Sequence, residues 1–254
     1  MVINMLTGYG IIGFFFILCI IWGIKLMSSP KTAVRGNMIG AVSMLGAVIL
    51  TLTYNNILDN MLLWSAILVG GAVGSYMAQK VEMIQMPQMV ALLNGFGGGA
   101  SALVASIMLF SDFNQLSTAS RFTSGLALMV GAVTLSGSLI ASAKLDRRMK
   151  QKPVVLKGHS FWNILCLLIT AVSILLITFK YTTQAEANLY IFVILVLSLI
   201  FGTIFAIRVG GADMPITISL LNSMSGLAAS IAGFAIYNTL LVVVGAVVGA
   251  SGLI

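Results

Sequence analysis

Charge is scarce in this chain. Its 254 residues hold 13 Lys and Arg, 6 Asp and Glu and a single His, so charged residues make up 7% of the sequence. No water-soluble domain of this length covers its surface with so few charges. Cysteine is almost absent. Cys19 and Cys166 lie inside apolar runs with no second ligand at metal spacing, so they read as small apolar residues, without a disulfide or metal role. No Asp, Glu, Lys, Arg or His falls near the centre of any apolar run. That excludes a self-contained pump built on its own intramembrane acid or histidine, and it suggests a chain that works with partners.

What is abundant is apolar length. Hydrophobic residues make up 59% of the chain and mean hydropathy is +1.10. Nine runs, near residues 9–27, 37–54, 61–78, 88–110, 122–143, 162–179, 189–207, 215–236 and 239–254, approach the roughly 20 residues a membrane helix needs. The expected fold is all-α, a polytopic transmembrane helical bundle of about nine spans. Met1 to Met27 lacks a basic start and a small-residue cleavage site before Lys25, so it reads as a retained helix and not a signal peptide.

With nine spans the connecting segments alternate sides. One side collects Lys25, Lys31, Arg35, Lys80, Lys144, Arg147, Arg148, Lys150, Lys152, Lys157 and Arg208, and the other only Arg121 and Lys180. Basic residues favour the inner side, which predicts a cytoplasmic or matrix-side C-terminus and an outer N-terminus. Tyr9, Tyr54, Trp162, Tyr181, Tyr190 and Tyr237 fall at span ends, where amphipathic rings are favoured. The net charge of +7 is therefore a topology signal and gives no reason to expect nucleic acid. The basic segment 144–157 could meet anionic lipid or an acidic partner.

One motif occurs twice, 128 residues apart. Met86-Pro87, Leu92-Leu93-Asn94, Gly98 and Ala100 recur as Met214-Pro215, Leu220-Leu221-Asn222, Gly226 and Ala228. A further match follows each copy, Gly131-Ala132-Val133 with Leu139-Ile140 against Gly245-Ala246-Val247 with Leu253-Ile254. Both Met-Pro steps sit on the basic side, so the repeat is parallel: one leading helix plus two four-helix units. Proline suits a helix start, where its missing N–H would be unpaired anyway.

Asn94 and Asn222 should lie about two turns into the membrane, roughly 10 Å at 1.5 Å per residue. An amide there needs partners and should face the bundle interior. Gly98 and Gly226, one turn on, would let a helix or a water file approach closely. Interhelical packing bonds and a hydrated polar relay both fit this spacing. Glu82 and Asp213 precede the Met-Pro steps, where a carboxylate either caps a helix or stands at the mouth of a pathway. His159, the only histidine, reads as a solvated residue of the basic segment. Gly95-Phe96-Gly97-Gly98-Gly99-Ala100 matches a dinucleotide-binding turn, but that turn must follow a strand, and here it lies within a span.

The runs Val81-Glu82-Met83, Met86-Pro87-Gln88-Met89-Val90-Ala91, Asn94 through Ala100, Gly210-Gly211-Ala212-Asp213-Met214-Pro215 and Leu221-Asn222-Ser223 together resemble the membrane domain of the beta subunit of proton-translocating NAD(P) transhydrogenase. The likeness covers essentially the whole chain. It implies a membrane part of an enzyme that couples proton flow to hydride transfer from NADH to NADP+, with NAD(H) and NADP(H) bound by partner domains and no cofactor bound by this chain. The implied partners are an alpha subunit with membrane helices and an NAD(H)-binding domain, an NADP(H)-binding domain, and a second copy of the complex, in a bacterial-type plasma membrane or inner mitochondrial membrane.

Residue by residue, the resemblance makes Asn222 and Ser138 polar channel positions and Asp213 an acid at the inner mouth. It makes Gly245, Gly249 and Gly252 helix glycines that couple to the NADP(H) domain. Asn94 departs from the family, many of whose members carry His there; a proton would then pass by ordered water near Asn94 and Asn222, or, as we expect, through a histidine of another subunit. The family continues beyond Ile254 into an NADP(H)-binding domain, so residues 1–254 read as a proton-channel domain, truncated or naturally split, that does not transfer hydride alone. Two other classes compete. One is a stand-alone secondary transporter or channel with a midplane site at the repeat interface, and the other is a structural membrane anchor.

Overall fold

The computed structural model describes residues 2–111, 113–180 and 183–252. Tyr181, Leu253 and Ile254, used above, lie outside the described residues. The described chain is helical: α1 (Val2–Met27), α2 (Ala33–Tyr54), α3 (Met61–Lys80), α4 (Met86–Ser111), α5 (Thr118–Leu145), α6 (His159–Phe179), α7 (Gln184–Ile207), α8 (Met214–Ala235) and α9 (Thr239–Ser251). Eight are long and apolar enough to cross a bilayer. The described part of α9 has 13 residues, about 20 Å at the helical rise. Short 3-10 turns, Met83–Gln85 and Gly211–Asp213, lead into α4 and α8, so each copy of the motif begins with the same punctuation.

Two compact units form, Met1–Glu82 and Met83–Ile254. In the first, α1 and α2 pair where two glycines meet. A methyl built on Gly23 would stand 2.9 Å from the Gly36 carbonyl oxygen, and one on Gly36 would stand 2.6 Å from that of Gly23. Tyr9 and Tyr54 stack with ring centroids 4.2 Å apart. Helix α3 is N-capped by Asn60, which accepts from the Leu62 and Leu63 N–H groups, yet it buries none of its residues.

In the second unit α5 is central, packed against α4, α6, α7 and α8. Its buried face is small: Gly125, Ala127, Gly131, Ala132, Ser136, Gly137, Ser138 and Ala141. Large side chains such as Phe161, Leu168, Phe179 and Phe192 point outward. Lipid gives apolar side chains no reason to hide, so the interior selects residues that let backbones approach. Ala91 of α4 packs with Met214, Ile218 and Leu221 of α8 at one end. At the other, Ala102, Ala105 and Leu109 of α4 join Ala232 of α8. The two motif helices therefore run parallel, as the repeat requires.

Turns are built by local hydrogen bonds. Thr183 and Glu186 form a reciprocal cap on α7. After α8, Asn238 N–H reaches the Gly233 carbonyl at 2.8 Å and Tyr237 N–H that of Phe234. This is a left-handed helix stop with Tyr237 at φ 55° in the position glycine usually takes. Hydroxyls of Ser120 and Ser117 lie 3.0 and 3.2 Å from the Tyr237 oxygen, and hydrogen bonding from these hydroxyls pulls its phenol below the usual range.

The basic end holds an arrangement that sequence reading missed. Lys144, in the last turn of α5, is fully buried, and its ammonium donates to the carbonyls of Ile207 and Val209, both at 2.6 Å. A cation is favoured at the carbonyl end of a helix, here α7. Gln151 donates to the Lys144 carbonyl and accepts the Gly211 N–H at its own carbonyl, at 2.9 Å. The α5–α6 segment is thus tied to the link that delivers Asp213 and α8. Lys144→Met should free that link and lower stability by about 1.5–3 kcal/mol, the usual worth of a hydrogen bond to a charged group. Thermal melting of the purified protein checks this, and a variant that melts like the parent would contradict it.

Candidate functional site

The polar centre of the second unit lies between its two apolar clusters. Asn94, eight residues into α4, is 9% exposed. Its Nδ2 donates to Ser138 Oγ on α5 at 3.0 Å, and its Oδ1 accepts from Ser225 Oγ on α8 at 2.6 Å. Ser225 Oγ is also 2.8 Å from the Asn222 carbonyl oxygen. One hydroxyl proton cannot serve both acceptors at once, so Ser225 can switch between them. Both partners of the Asn94 amide are hydroxyls able to donate or accept, but the amide nitrogen only donates and its oxygen only accepts, so donation through the node reverses only when the Asn94 amide flips end for end. An amide itself does not bind a proton at ordinary pH; the node can relay hydrogen bonds without storing charge.

Close helix crossings hold the node. A methyl on Gly95 would lie 3.1 Å from Ser138 Cβ, and one on Gly98 would lie 2.7 Å from Thr134 Cβ and 3.0 Å from the Gly131 carbonyl oxygen. The second copy repeats this geometry. Gly226 lies against the backbone of Gly249, and a methyl there would stand 2.8 Å from the Gly245 carbonyl oxygen. Gly98 with Gly131 thus corresponds to Gly226 with Gly245. The glycine run that matches a dinucleotide turn is consumed by this packing: Gly95, Gly98 and Gly99 all face α5. These residues do not fit a nucleotide.

The two asparagines meet different neighbours. Asn222 is half-buried and its side chain makes no hydrogen bond among the described residues. It faces the end of α9, where a methyl on Gly252 would stand 2.9 Å from Asn222 Nδ2 and 2.6 Å from Ser223 Oγ. Ser219 Oγ donates to the Gly252 carbonyl at 2.6 Å. Aligning Gly131-Ala132-Val133 with Gly245-Ala246-Val247 places Ser138 opposite Gly252. The first copy supplies a hydroxyl to its asparagine; the second supplies bare backbone. The structure therefore brings Asn94 and Ser138 together, and links Asn222 to them only through Ser225 and its own carbonyl.

Asp213 is exposed at the N-cap of α8 and makes no side-chain cap. Its backbone carbonyl accepts from Thr217 Oγ1 at 3.3 Å, which leaves the carboxylate at the surface of the basic end. Ser225 was not foreseen. The signal for it was a break in the repeat, since the first copy has Gly97 at that position. His159 departs most from expectation: it is the first residue of α6 and 5% exposed, not a solvated loop residue. Gly158, at φ 72°, turns the chain abruptly into the helix and carries His159 inward.

The family model for the NAD(P) transhydrogenase beta subunit matches residues 10–254. Two curated proteins from Rhodospirillum rubrum, one assigned to a particular strain, are both named NAD(P) transhydrogenase subunit beta. Each is 36% identical over 256 residues, a match covering 98% of this chain and 53% of the relative. The chain thus spans about half the length of the curated relatives it matches.

Proposed function

The chain belongs to the NAD(P) transhydrogenase beta-subunit family, and on that premise we propose that residues 1–254 form the proton-conducting membrane module of a proton-translocating transhydrogenase. It couples transmembrane proton flow to hydride transfer from NADH to NADP+, performed by partner domains that bind NAD(H) and NADP(H). The observation that carries this reading is the Asn94–Ser138–Ser225 node, one amide bridging two hydroxyls between the two apolar clusters of the bundle.

In this reading Asn94, Ser138 and Ser225 form the inner relay and Asn222 the half-open neighbour that exchanges with it. Asp213 is the charged mouth on the cytoplasmic or matrix side, where the C-terminus also lies. Gly98, Gly226, Gly245, Gly249 and Gly252 set the spacing of α4 with α5 and of α8 with α9, so a tilt of α9 would alter what Asn222 meets. In the second unit Lys144, Arg147, Arg148, Lys150, Lys152, Lys157 and Arg208 share the Asp213 end, which supports docking of the soluble domains there. Helix α3, with no buried residue, offers a bare apolar surface for alpha-subunit membrane helices. A dimer of the whole complex, in a bacterial-type plasma membrane or inner mitochondrial membrane, completes the assembly.

Asn222→Leu, in the chain co-reconstituted with the remaining transhydrogenase parts, is the test. Proton uptake into vesicles should fall at least tenfold relative to hydride transfer, about 1.4 kcal/mol or more of barrier. Unchanged coupling in that variant would remove Asn222 from the pathway.

A further inference from the structure

Two seams lead from the basic end toward the Asn94 node, and they are packed differently. Beneath Asp213, on the α8 side, Met214, Ile218 and Leu221 close against Ala91 of α4 and Ala141 of α5. Four of these five residues are fully buried and Ile218 is 8% exposed. A methyl on Gly137 of α5 would stand 3.0 Å from Leu221 Cδ2. Apolar packing this close has no polar partners to hold water, and an ion entering it meets the full cost of desolvation.

On the α4–α5 side a cavity of about 320 Å³ stands open, lined by Gln88 and Leu92 of α4, Leu139 and Ser142 of α5, and Asp146 and Arg148 just beyond α5. That is about ten times the roughly 30 Å³ one water occupies in the liquid. Asp146 and Arg148 pair at its rim. Ser142 Oγ donates to the Gln88 carbonyl at 3.0 Å, which leaves the oxygen able to accept from water. Asp146, Ser142 and Ser138 follow one another at four-residue spacing, each step about 6 Å of helical rise on one face. Ser138 is the residue that accepts from Asn94 Nδ2. Leu92 and Leu139 are the deepest lining residues, so the cavity ends about one turn short of the node. Leu139 is 42% exposed, and side chains so placed change rotamer within nanoseconds.

We propose that this cavity is a water-filled vestibule through which protons approach the Asn94–Ser138 node from the basic end, with Asp146 and Arg148 at its rim and Ser142 as its innermost polar group. Asp213 then contributes charge to the surface of that end, above the dry seam, and water enters beside Asp146. The proton travels as hydronium among the waters of the vestibule, and no protein group need change its charge along it. Use of the vestibule in translocation rests on the transhydrogenase reading, but its hydration does not.

Thiol labelling tests this. Ser142→Cys, Ile218→Cys and Lys150→Cys variants of the full chain are placed in sealed liposomes and treated with a small membrane-impermeant methanethiosulfonate cation. Peptide mass spectrometry then locates the label. Lys150, exposed at the same end, marks the fraction of chains that present that end to the reagent. Ser142 and Ile218 lie about one turn inside the end of α5 and the start of α8, so their depths match. Ser142→Cys is expected to react in the same fraction as Lys150→Cys, at least tenfold faster than Ile218→Cys. An unlabelled Ser142→Cys would mean that lipid or packing fills the cavity, and would overturn the vestibule. Equal rates at the two positions would overturn the choice of seam. In the complete complex, labelled Ser142→Cys should lose proton uptake at least tenfold; unchanged uptake would remove the vestibule from the path. A complex that moves no protons before labelling would instead sink the transhydrogenase reading and leave the liposome result standing.

Discussion

Gly226→Val is expected to be the most damaging single substitution in the second unit. The atoms a side chain would strike there are backbone, those of Gly249 and the Gly245 carbonyl, and backbone cannot swing aside as the tip of a flexible chain can. Gly245 is equally constrained, since a methyl on it would stand 2.5 Å from the Ser230 N and 2.8 Å from the Gly226 carbonyl oxygen. α8 and α9 must therefore separate along the crossing. Overpacking a tight contact costs about 1–3 kcal/mol, and more where backbone must move; this site belongs at the upper end. Gly97→Val is the control, because nothing lies within 4 Å of a methyl built there. In detergent, Gly226→Val should lose monodisperse protein and melt well below the parent, while Gly97→Val should melt with it. Equal melting of the two variants would refute the crossing as a constraint.

Asn94→Leu is expected to have the largest effect on proton movement. Leucine has the same number of side-chain heavy atoms and the same branch point as asparagine, though it is bulkier, and the chief loss is chemical: Ser138 and Ser225 both lose the amide. The buried Ser138 hydroxyl loses its partner at about 1–3 kcal/mol, Ser225 keeps only the Asn222 carbonyl, and the connection from α5 to α8 is cut. Proton uptake in reconstituted vesicles should fall at least tenfold, with a moderate loss of thermal stability. Asn94→His should behave differently, since an imidazole can still bond both hydroxyls and also carries a proton. That variant should keep proton uptake and add a pH dependence near neutrality. Full activity in Asn94→Leu would mean the node only packs helices.

Much of this was legible in the amino-acid sequence, for physical reasons. Membrane spans announce themselves because hydrocarbon tolerates few charges, and positions 9–27 to 215–236 match α1 to α8 to within a few residues at most ends. The repeat exposed the glycine crossings, because only glycine permits such contact at Gly98 and Gly226. What failed to show was what each residue meets. Identical spacing set Asn94 and Asn222 at one depth, yet one meets Ser138 and the other Gly252, a difference fixed by neighbouring helices 44 and 30 residues away. Lys144 reads from the sequence as one more surface cation, but the carbonyls of Ile207 and Val209 surround its ammonium. His159 followed a polar stretch and looked solvated, but the turn at Gly158 and the packing of α6 bury it. Burial of a segment end is decided by contacts distant in sequence, and neither composition nor periodicity encodes it.

The most direct test of the central claim uses the complete complex containing this chain, sealed in vesicles with a pH dye in the lumen while hydride transfer is followed by absorbance. The account predicts a lumenal pH change that tracks hydride transfer, collapses with a protonophore and is lost in Asn94→Leu. Hydride transfer at full rate with no pH change in demonstrably tight vesicles would contradict it.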